Sequence, residues 1–334
     1  MRNIQKREKI FNIYSQNLKW IKEKTDLKFN VDFEDGVLCP LCLNLFNKGD
    51  LIINHNKNHL TLEHNPPDYF SGRARILTCK TCNNKSGHIL DYQLKNLFEE
   101  ISIKKRLPNS KLRTKIETDL GGKVTSHLSF NANGEFIFEI SKEHSNPKEC
   151  ELFKKSIKNG EFWDTDTGRV ARHRFNFKLN LPQKANKRLS NVALLKYAYL
   201  KAFEKLGHIF LFNKNLDIIR EQILNPEKEL LTNTCLFNKE LDRNQIGELS
   251  VIKFSENLKC YLVSLDLCDK SLNKQFNLLL PGFCEYKKDV YADFVDFINN
   301  NMGKYFRPGF MKLDEIDIKK SEDTIRGYSI WSDN

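Results

Sequence analysis

Two Cys-x-x-Cys pairs, Cys39-Pro-Leu-Cys42 and Cys79-Lys-Thr-Cys82, stand 36 residues apart in a chain of 334. Each such turn presents two sulfurs to one side, and two turns together supply the four thiolates of a tetrahedral zinc centre with metal–sulfur bonds of about 2.3 Å. If the pairs meet, the chain between them must fold back on itself as one compact module. A closed set of four sulfurs leaves no open position at which zinc would activate water. The expected role of Cys39, Cys42, Cys79 and Cys82 is therefore structural, a clamp for a segment short of core. The other five cysteines are scattered along the chain, and an odd total of nine suggests reduced thiols. The N-terminal stretch MRNIQKREKIFNIYSQ lacks an uninterrupted apolar core. No run of about 18 apolar residues occurs either, so the expected location is cytoplasmic.

Around the pairs the patterning reads as a small α+β module. Residues 1–28 form an expected basic amphipathic helix, with Ile10, Tyr14, Leu18 and Ile21 at helical spacing among Lys, Arg and Asn. HLTLEH at 59–64 and RILTC at 75–79 read as two short strands. A helix is expected from about Asn83 to Glu100, with Ile89, Leu90, Leu94 and Leu97 on its apolar side. Periodicity breaks at Leu107-Pro108-Asn109-Ser110, which sets the expected domains at 1–107 and 108–334.

The second segment reads as mixed α+β with antiparallel hairpins. Alternation from Val124 to Phe130 and from Phe136 to Ile140 flanks Asn133-Gly134, a hairpin signal. Phe175 to Leu181 suggests another strand, and Leu249 to Leu267 a further hairpin. The strongest helix runs from an expected N-cap at Ser190 to Gly207, with Leu195, Ala198, Tyr199, Ala202, Phe203 and Leu206 on one broad apolar face. Shorter helices are expected at 216–224 and 288–300. No GxGxxG or GxxxxGK[ST] phosphate cradle occurs.

Zinc accounts for the cysteines and leaves Glu63, His64, Asn83, Asn84 and His88 without a role. The Glu63-His64 pair followed by Pro66, the loop glycine Gly72 and the CKTCN run at 79–83 resemble the HNH, or ββα-metal, endonucleases in their version stapled by two Cys-x-x-Cys knuckles. The resemblance covers about residues 36–92. It implies a metal-dependent endonuclease that hydrolyses phosphodiester bonds in DNA, with His64 as general base. One divalent cation, Mg²⁺, Mn²⁺ or Ni²⁺, would be held by Glu63 together with Asn83 or with the Asn84/His88 face of the helix. Adjacent strand residues point to opposite faces, so Glu63 and His64 would share a site only where the strand ends or distorts. Arg73, Arg75 and Lys85 are expected phosphate contacts. The family's habits also imply a bacterial defence or restriction setting.

One departure stands out. The family's middle Asn, four or five residues before the second knuckle, is replaced here by Ala74 and Arg75, and Asp68 or Ser71 are the loop residues that would take its place. This leaves two alternatives: a non-catalytic four-cysteine zinc module that binds DNA or RNA, and a ribonuclease using the same site. Lys and Arg number 54 against 43 Asp and Glu, a net charge of +11 that favours a polyanion, with double-stranded DNA the expected partner. The basic stretch GRVARHR at 168–174 is read as a solvated edge or a backbone contact, and His55 and His59 as solvated loop residues. Residues 108–334 are read as a sensor, targeting or dimerisation domain, through which a homodimer contact or an activating ligand would act.

Overall fold

The computed structural model describes residues 2–29, 32–53, 56–118, 122–159, 177–180, 185–231, 236–237, 242–255, 258–282, 290–301 and 309–332. In chain order the elements are α1 (Arg2–Lys24), β1 (Val37–Leu38), β2 (Leu45–Phe46), β3 (Leu60–Asn65), β4 (Arg73–Cys79), α2 (Lys80–Ser86) and α3 (Tyr92–Lys104). Then come β5 (Lys111–Thr118), β6 (Lys123–Phe130), β7 (Phe136–Ile140), α4 (Pro147–Asn159), β8 (Phe177–Asn180), α5 (Lys187–Leu206) and α6 (Asp217–Leu224). The rest are β9 (Leu236–Phe237), α7 (Arg243–Ile246), β10 (Leu249–Ser255), β11 (Leu258–Cys268), β12 (Asn273–Pro281), α8 (Val290–Asn301), β13 (Gly309–Lys312) and α9 (Ser321–Ser332). This is a mixed α+β fold with antiparallel sheets. Among the described residues no helix is long and apolar enough to cross a membrane.

Two compact units are formed. One comprises residues 1–94, 187–269 and 273–334; the other comprises 95–186 with 270–272. The break in periodicity at 107/108 thus falls inside the second unit, because α3 and the strand after it pack together. In that unit a four-stranded antiparallel sheet in the order β7-β6-β5-β8 buries Leu112, Leu128 and Phe130 with Ile103 of α3. Ile116 and Val124 pack with Phe153 of α4. The expected hairpin at 124–140 is the β6–β7 pair. β5 is not among the expected strands, although its buried Leu112, Thr114 and Ile116 alternate with exposed Lys111, Arg113, Lys115 and Glu117.

The first unit is built around α5. Fourteen of its residues are buried, including Leu194, Leu195, Tyr197, Tyr199, Leu200 and Phe203. A helix apolar on nearly every face belongs inside a core, and this one packs on β11 and β12 of the five-stranded sheet β13-β10-β11-β12-β9. Each fully buried Leu or Phe stabilises by roughly 1.5–3 kcal/mol, which makes α5 the hydrophobic anchor of the unit. The helix begins three residues before Ser190, so Ser190 is not its N-cap; its hydroxyl instead donates to the Gln93 carbonyl at 3.1 Å. Gly207 does take the left-handed conformation, with φ +68°, and a Cβ there would meet the Asn17 side chain at 2.5 Å.

Between α2 and α3 the residues Gly87–Asp91 form a π-helical turn. The extra residue in that turn rotates the stripe that follows. The buried line becomes Leu90, Leu94 and Phe98, and Leu97, expected in the apolar face, is only half-buried. The GRVARHR stretch, Phe175 and His55 lie outside the described residues. His59 is buried, not solvated, with Nδ1 3.1 Å from the Lys57 carbonyl oxygen.

Asn17 and His208 fasten three segments together. The Asn17 amide donates to Thr324 Oγ1 at 2.9 Å, and its oxygen accepts from the His208 backbone N–H at 2.9 Å. His208 Nε2 accepts from the Leu38 N–H at 3.2 Å, and Nδ1 lies 3.2 Å from Asn17 Oδ1. The imidazole is thus neutral with its proton on Nδ1, and complete burial pushes its pKa down to about 3. Between about pH 6.5 and 3 the unfolded chain binds a proton at this position that the folded chain does not. Stability from His208 is therefore full above pH ~6.5 and declines as pH falls toward 3, by up to about 5 kcal/mol. Chemical denaturation across that range should show a steeper acid loss for the natural protein than for His208→Gln; equal slopes would refute the assignment.

Candidate metal centre and the residues around it

The first knuckle is a tight turn between two very short strands. The Cys39 N–H donates to the Asn44 carbonyl and the Leu43 N–H to the Cys39 carbonyl, both at 2.9 Å, with Leu43 at φ +61°. The second knuckle closes the longer β3–β4 hairpin, where Leu60 pairs with Cys79, and runs straight into α2. The two turns meet. The sulfurs of Cys39, Cys42, Cys79 and Cys82 all lie within 4.8 Å of one another, and Cys42 Sγ is 3.8 Å from Cys79 Sγ. Four ligands at about 2.3 Å around a tetrahedral ion stand roughly 3.8 Å apart, so the donor set fits zinc. The Cys79 N–H also points at Cys39 Sγ, 3.4 Å away, a donor that favours the thiolate.

Electrostatics agree with the geometry. The Cys79 thiol is driven far below its ordinary range by hydrogen bonds from Cys39, Cys42 and Cys82, and Cys39, Cys42 and Cys79 push Cys82 far above it. Four sulfurs this close do not all ionise without a cation between them, and a divalent ion removes that obstacle. The knuckle is also fixed to the core from outside, since the buried Tyr199 hydroxyl donates to the Pro40 carbonyl at 2.7 Å.

The β3–β4 hairpin and α2 follow one another in the order strand, strand, helix. In the loop between the strands, Phe70 and Gly72 both donate to the Pro67 carbonyl, at 2.9 and 3.2 Å. A Cβ on Gly72 would lie 1.5 Å from the Pro66 carbonyl oxygen, so no other residue fits. The loop is braced by main-chain bonds, and no side-chain hydrogen bond from Asp68 or Ser71 is seen among the described residues.

Strand alternation separates the acid from the histidine. Glu63 is buried, His64 is exposed and Asn65 is buried again. The irregularity lies on the partner strand: Glu63 faces Ile76 and His64 faces Ala74, which leaves Arg75 as the extra residue of a β-bulge. Glu63 Oε1 pairs with Lys196 Nζ at 3.0 Å, and Glu63 Oε2 accepts from Thr78 Oγ1 at 3.1 Å. Lys196 is wholly buried and also reaches Asp91 Oδ1 at 3.4 Å, an oxygen that accepts from the Tyr197 hydroxyl. Burial works against the ammonium charge, but the Glu63 and Asp91 carboxylates outweigh it and raise the Lys196 pKa.

The other expected ligands are dispersed. Asn83 donates to Thr61 Oγ1 at 3.0 Å and to the Leu62 carbonyl at 3.3 Å, tying α2 to β3. Asn84 on α2, His88 on the π-helical turn and His64 on β3 are exposed, and neither imidazole has a hydrogen-bond partner among the described residues. Arg73 and Lys85 are exposed, whereas Arg75 pairs with Glu204 at 3.0 Å. With Glu63 and Asn83 both engaged in holding the scaffold, the second-cation donor set expected from the resemblance does not fit this arrangement. Sequence reasoning missed Lys196; a lone lysine inside the apolar run ALLKYAYL was the available signal. Comparison with family models, curated proteins and solved structures gave no match for this chain.

Removing Lys196 leaves the Glu63 carboxylate buried without its counter-charge. Lys196→Met should cost about 3–5 kcal/mol in urea denaturation, and adding Glu63→Gln should restore a substantial part of that loss. Additive single-site effects would show that the pair is not coupled.

Proposed function

We propose that residues 36–92 are a zinc-clamped module that binds nucleic acid through its outer face. The observation that carries this reading is the cluster of four cysteine sulfurs, a closed donor set whose zinc supplies scaffold rather than chemistry. Zinc content has a direct consequence for folding, since the short β1–β2 and β3–β4 ladders joined by the knuckles have little core of their own. The nucleic-acid half of the proposal is supported by a net charge of +11 and by exposed Arg73, Lys85, His64 and His88 on the hairpin and the segment after it. Arg73 and Lys85 would contact phosphates, which position a strand without reading its sequence.

A second reading, HNH-type hydrolysis of DNA or of RNA, is favoured by one feature: the imidazole of His64 is exposed and makes no hydrogen bond with any described residue. In that reading His64 takes the proton of an attacking water. Glu63 contributes by holding Lys196, not by binding a cation.

Protein prepared without added chelator should carry one zinc per chain, and Cys79→Ser with Cys82→Ser should lose both the metal and the folded module. Binding to duplex DNA, single strands and structured RNA should weaken as salt rises. Arg73→Ala with Lys85→Ala should reduce the slope of log K against log salt by about 2, roughly one per phosphate contact. Zinc far below one per chain, or a salt slope untouched by the double substitution, would defeat the proposal. Cleavage in Mg²⁺, Mn²⁺ or Ni²⁺ that disappears in His64→Ala would promote the second reading to first.

A further inference from the structure

A cavity of about 540 Å³ opens in the first unit beside the β-bulge, between α1, β4, the end of α5 and the segment before α9. That volume lies within the range of about 300–1,000 Å³ usual for small-molecule sites. The cavity borders the Ala74 position, and Ala74 is the cross-strand partner of His64, which places that residue roughly 5 Å away across the ladder.

Its rim is cationic and unbalanced. Lys6, Lys9, Arg75, Lys205 and Lys319 line it, against only Glu204 and Asp317. Arg75 is matched by Glu204, and Lys205 by Glu248 at 3.3 Å. Lys6, Lys9 and Lys319 have no anionic partner among the described residues. Three unmatched ammonium groups around one opening favour an occupant carrying more than a single negative charge.

The interior is different. Ile10, Ile13, Ile316 and Ile318 supply an apolar wall suited to a flat body. Two polar groups interrupt it. Tyr14 is 2% exposed, stacks on Phe203 at 4.9 Å, and its hydroxyl makes no hydrogen bond with any described residue. Glu204, whose side chain is 10% exposed, keeps acceptor capacity beyond its bond to Arg75. A purely hydrocarbon anion would desolvate both groups and satisfy neither. An occupant with donors and acceptors on a planar body and a phosphate at one end uses the wall, the tyrosine, the carboxylate and the lysines together.

From this combination we infer that the cavity binds a nucleoside phosphate. The inference stands on the cavity alone and not on the zinc-module reading. The chemistry could come from a free nucleotide or from one unpaired nucleotide of a bound strand, and the proximity of His64 gives the second source a physical route.

The full-length protein should be titrated calorimetrically with each of AMP, GMP, CMP and UMP, with inorganic phosphate, and with a mixed-sequence single-stranded octanucleotide. At least one nucleotide should bind, and inorganic phosphate should bind at least tenfold more weakly. Lys9→Glu with Lys319→Glu, both at exposed positions, should reduce nucleotide affinity at least tenfold with an unchanged melting temperature, and Lys105→Glu, at an exposed position in the second unit, should have no effect. Binding of mononucleotides identifies a free ligand. Binding of the octanucleotide alone, weakened by the same double substitution, identifies a strand. Absence of binding by every nucleotide and by the octanucleotide overturns the proposal, as does binding that the charge reversals leave unchanged. Failure of the zinc-module reading would show separately, through Arg73→Ala and Lys85→Ala.

Discussion

The ammonium of Lys196, withdrawn from water at the centre of α5, depends on two carboxylates that reach it from elsewhere in the chain. Glu63 comes from β3 and Asp91 from the π-helical turn, at 3.0 and 3.4 Å. An isolated buried charge is prohibitively costly, so the helix can take its place only if hairpin and turn arrive in register. Thr78 on β4 donates to the second oxygen of Glu63, and Tyr197 on α5 donates to the Asp91 oxygen that faces Lys196. The network thus fixes the register of the β3–β4 hairpin against α5 and the rotation of the helical segment that follows. An apolar residue at 196 would have filled the same space and specified neither.

The four-sulfur cluster acts on the same hairpin from its other end. Cys79 terminates β4, Cys82 lies on α2, and the first knuckle is held by Tyr199 and His208, at the Pro40 carbonyl and the Leu38 N–H. Tyr199 is three residues from Lys196 on the same helix. One helix therefore receives both the first cysteine knuckle and the buried ion pair. A metal on the four sulfurs would make up for β1 and β2, which at two residues each are too short to bury a core of their own.

Much of this was legible in the sequence where a local rule dominated. The paired Cys-x-x-Cys spacing announced the sulfur cluster, alternation announced β3, β4 and the β6–β7 hairpin, and Gly207 marked the end of α5. What escaped was decided by tertiary context. The π-helical turn adds one residue to a helix and shifts the buried stripe from Leu97 to Phe98, which no periodic pattern foretells. His59, in a run of Lys and Asn, is buried by the hairpin it precedes. The return of residues 187–269 and 273–334 to the unit formed by residues 1–94 depends on long-range burial of α5, and composition changes at 107/108 carry no trace of it. The partner of Glu63 lies 133 positions along the chain, beyond any motif's reach.

The Glu63-His64 pair shows how far a motif can be trusted without its surroundings. Read as letters, an acid beside a histidine before a proline is a nucleophile-activating pair with its cation ligand. On a strand with strict alternation, the two side chains leave on opposite faces, and burial decides which of them is available. Here the inward position belongs to Glu63, whose charge is spent on Lys196, and the outward one to His64. The bulge lies on β4, where its extra residue Arg75 pairs with Glu204 and its neighbour Ala74 lines the cavity. Any chemistry at His64 must therefore draw its charge stabilisation from groups outside this acid, and the lysine-rimmed opening that Ala74 borders is one such concentration of positive charge.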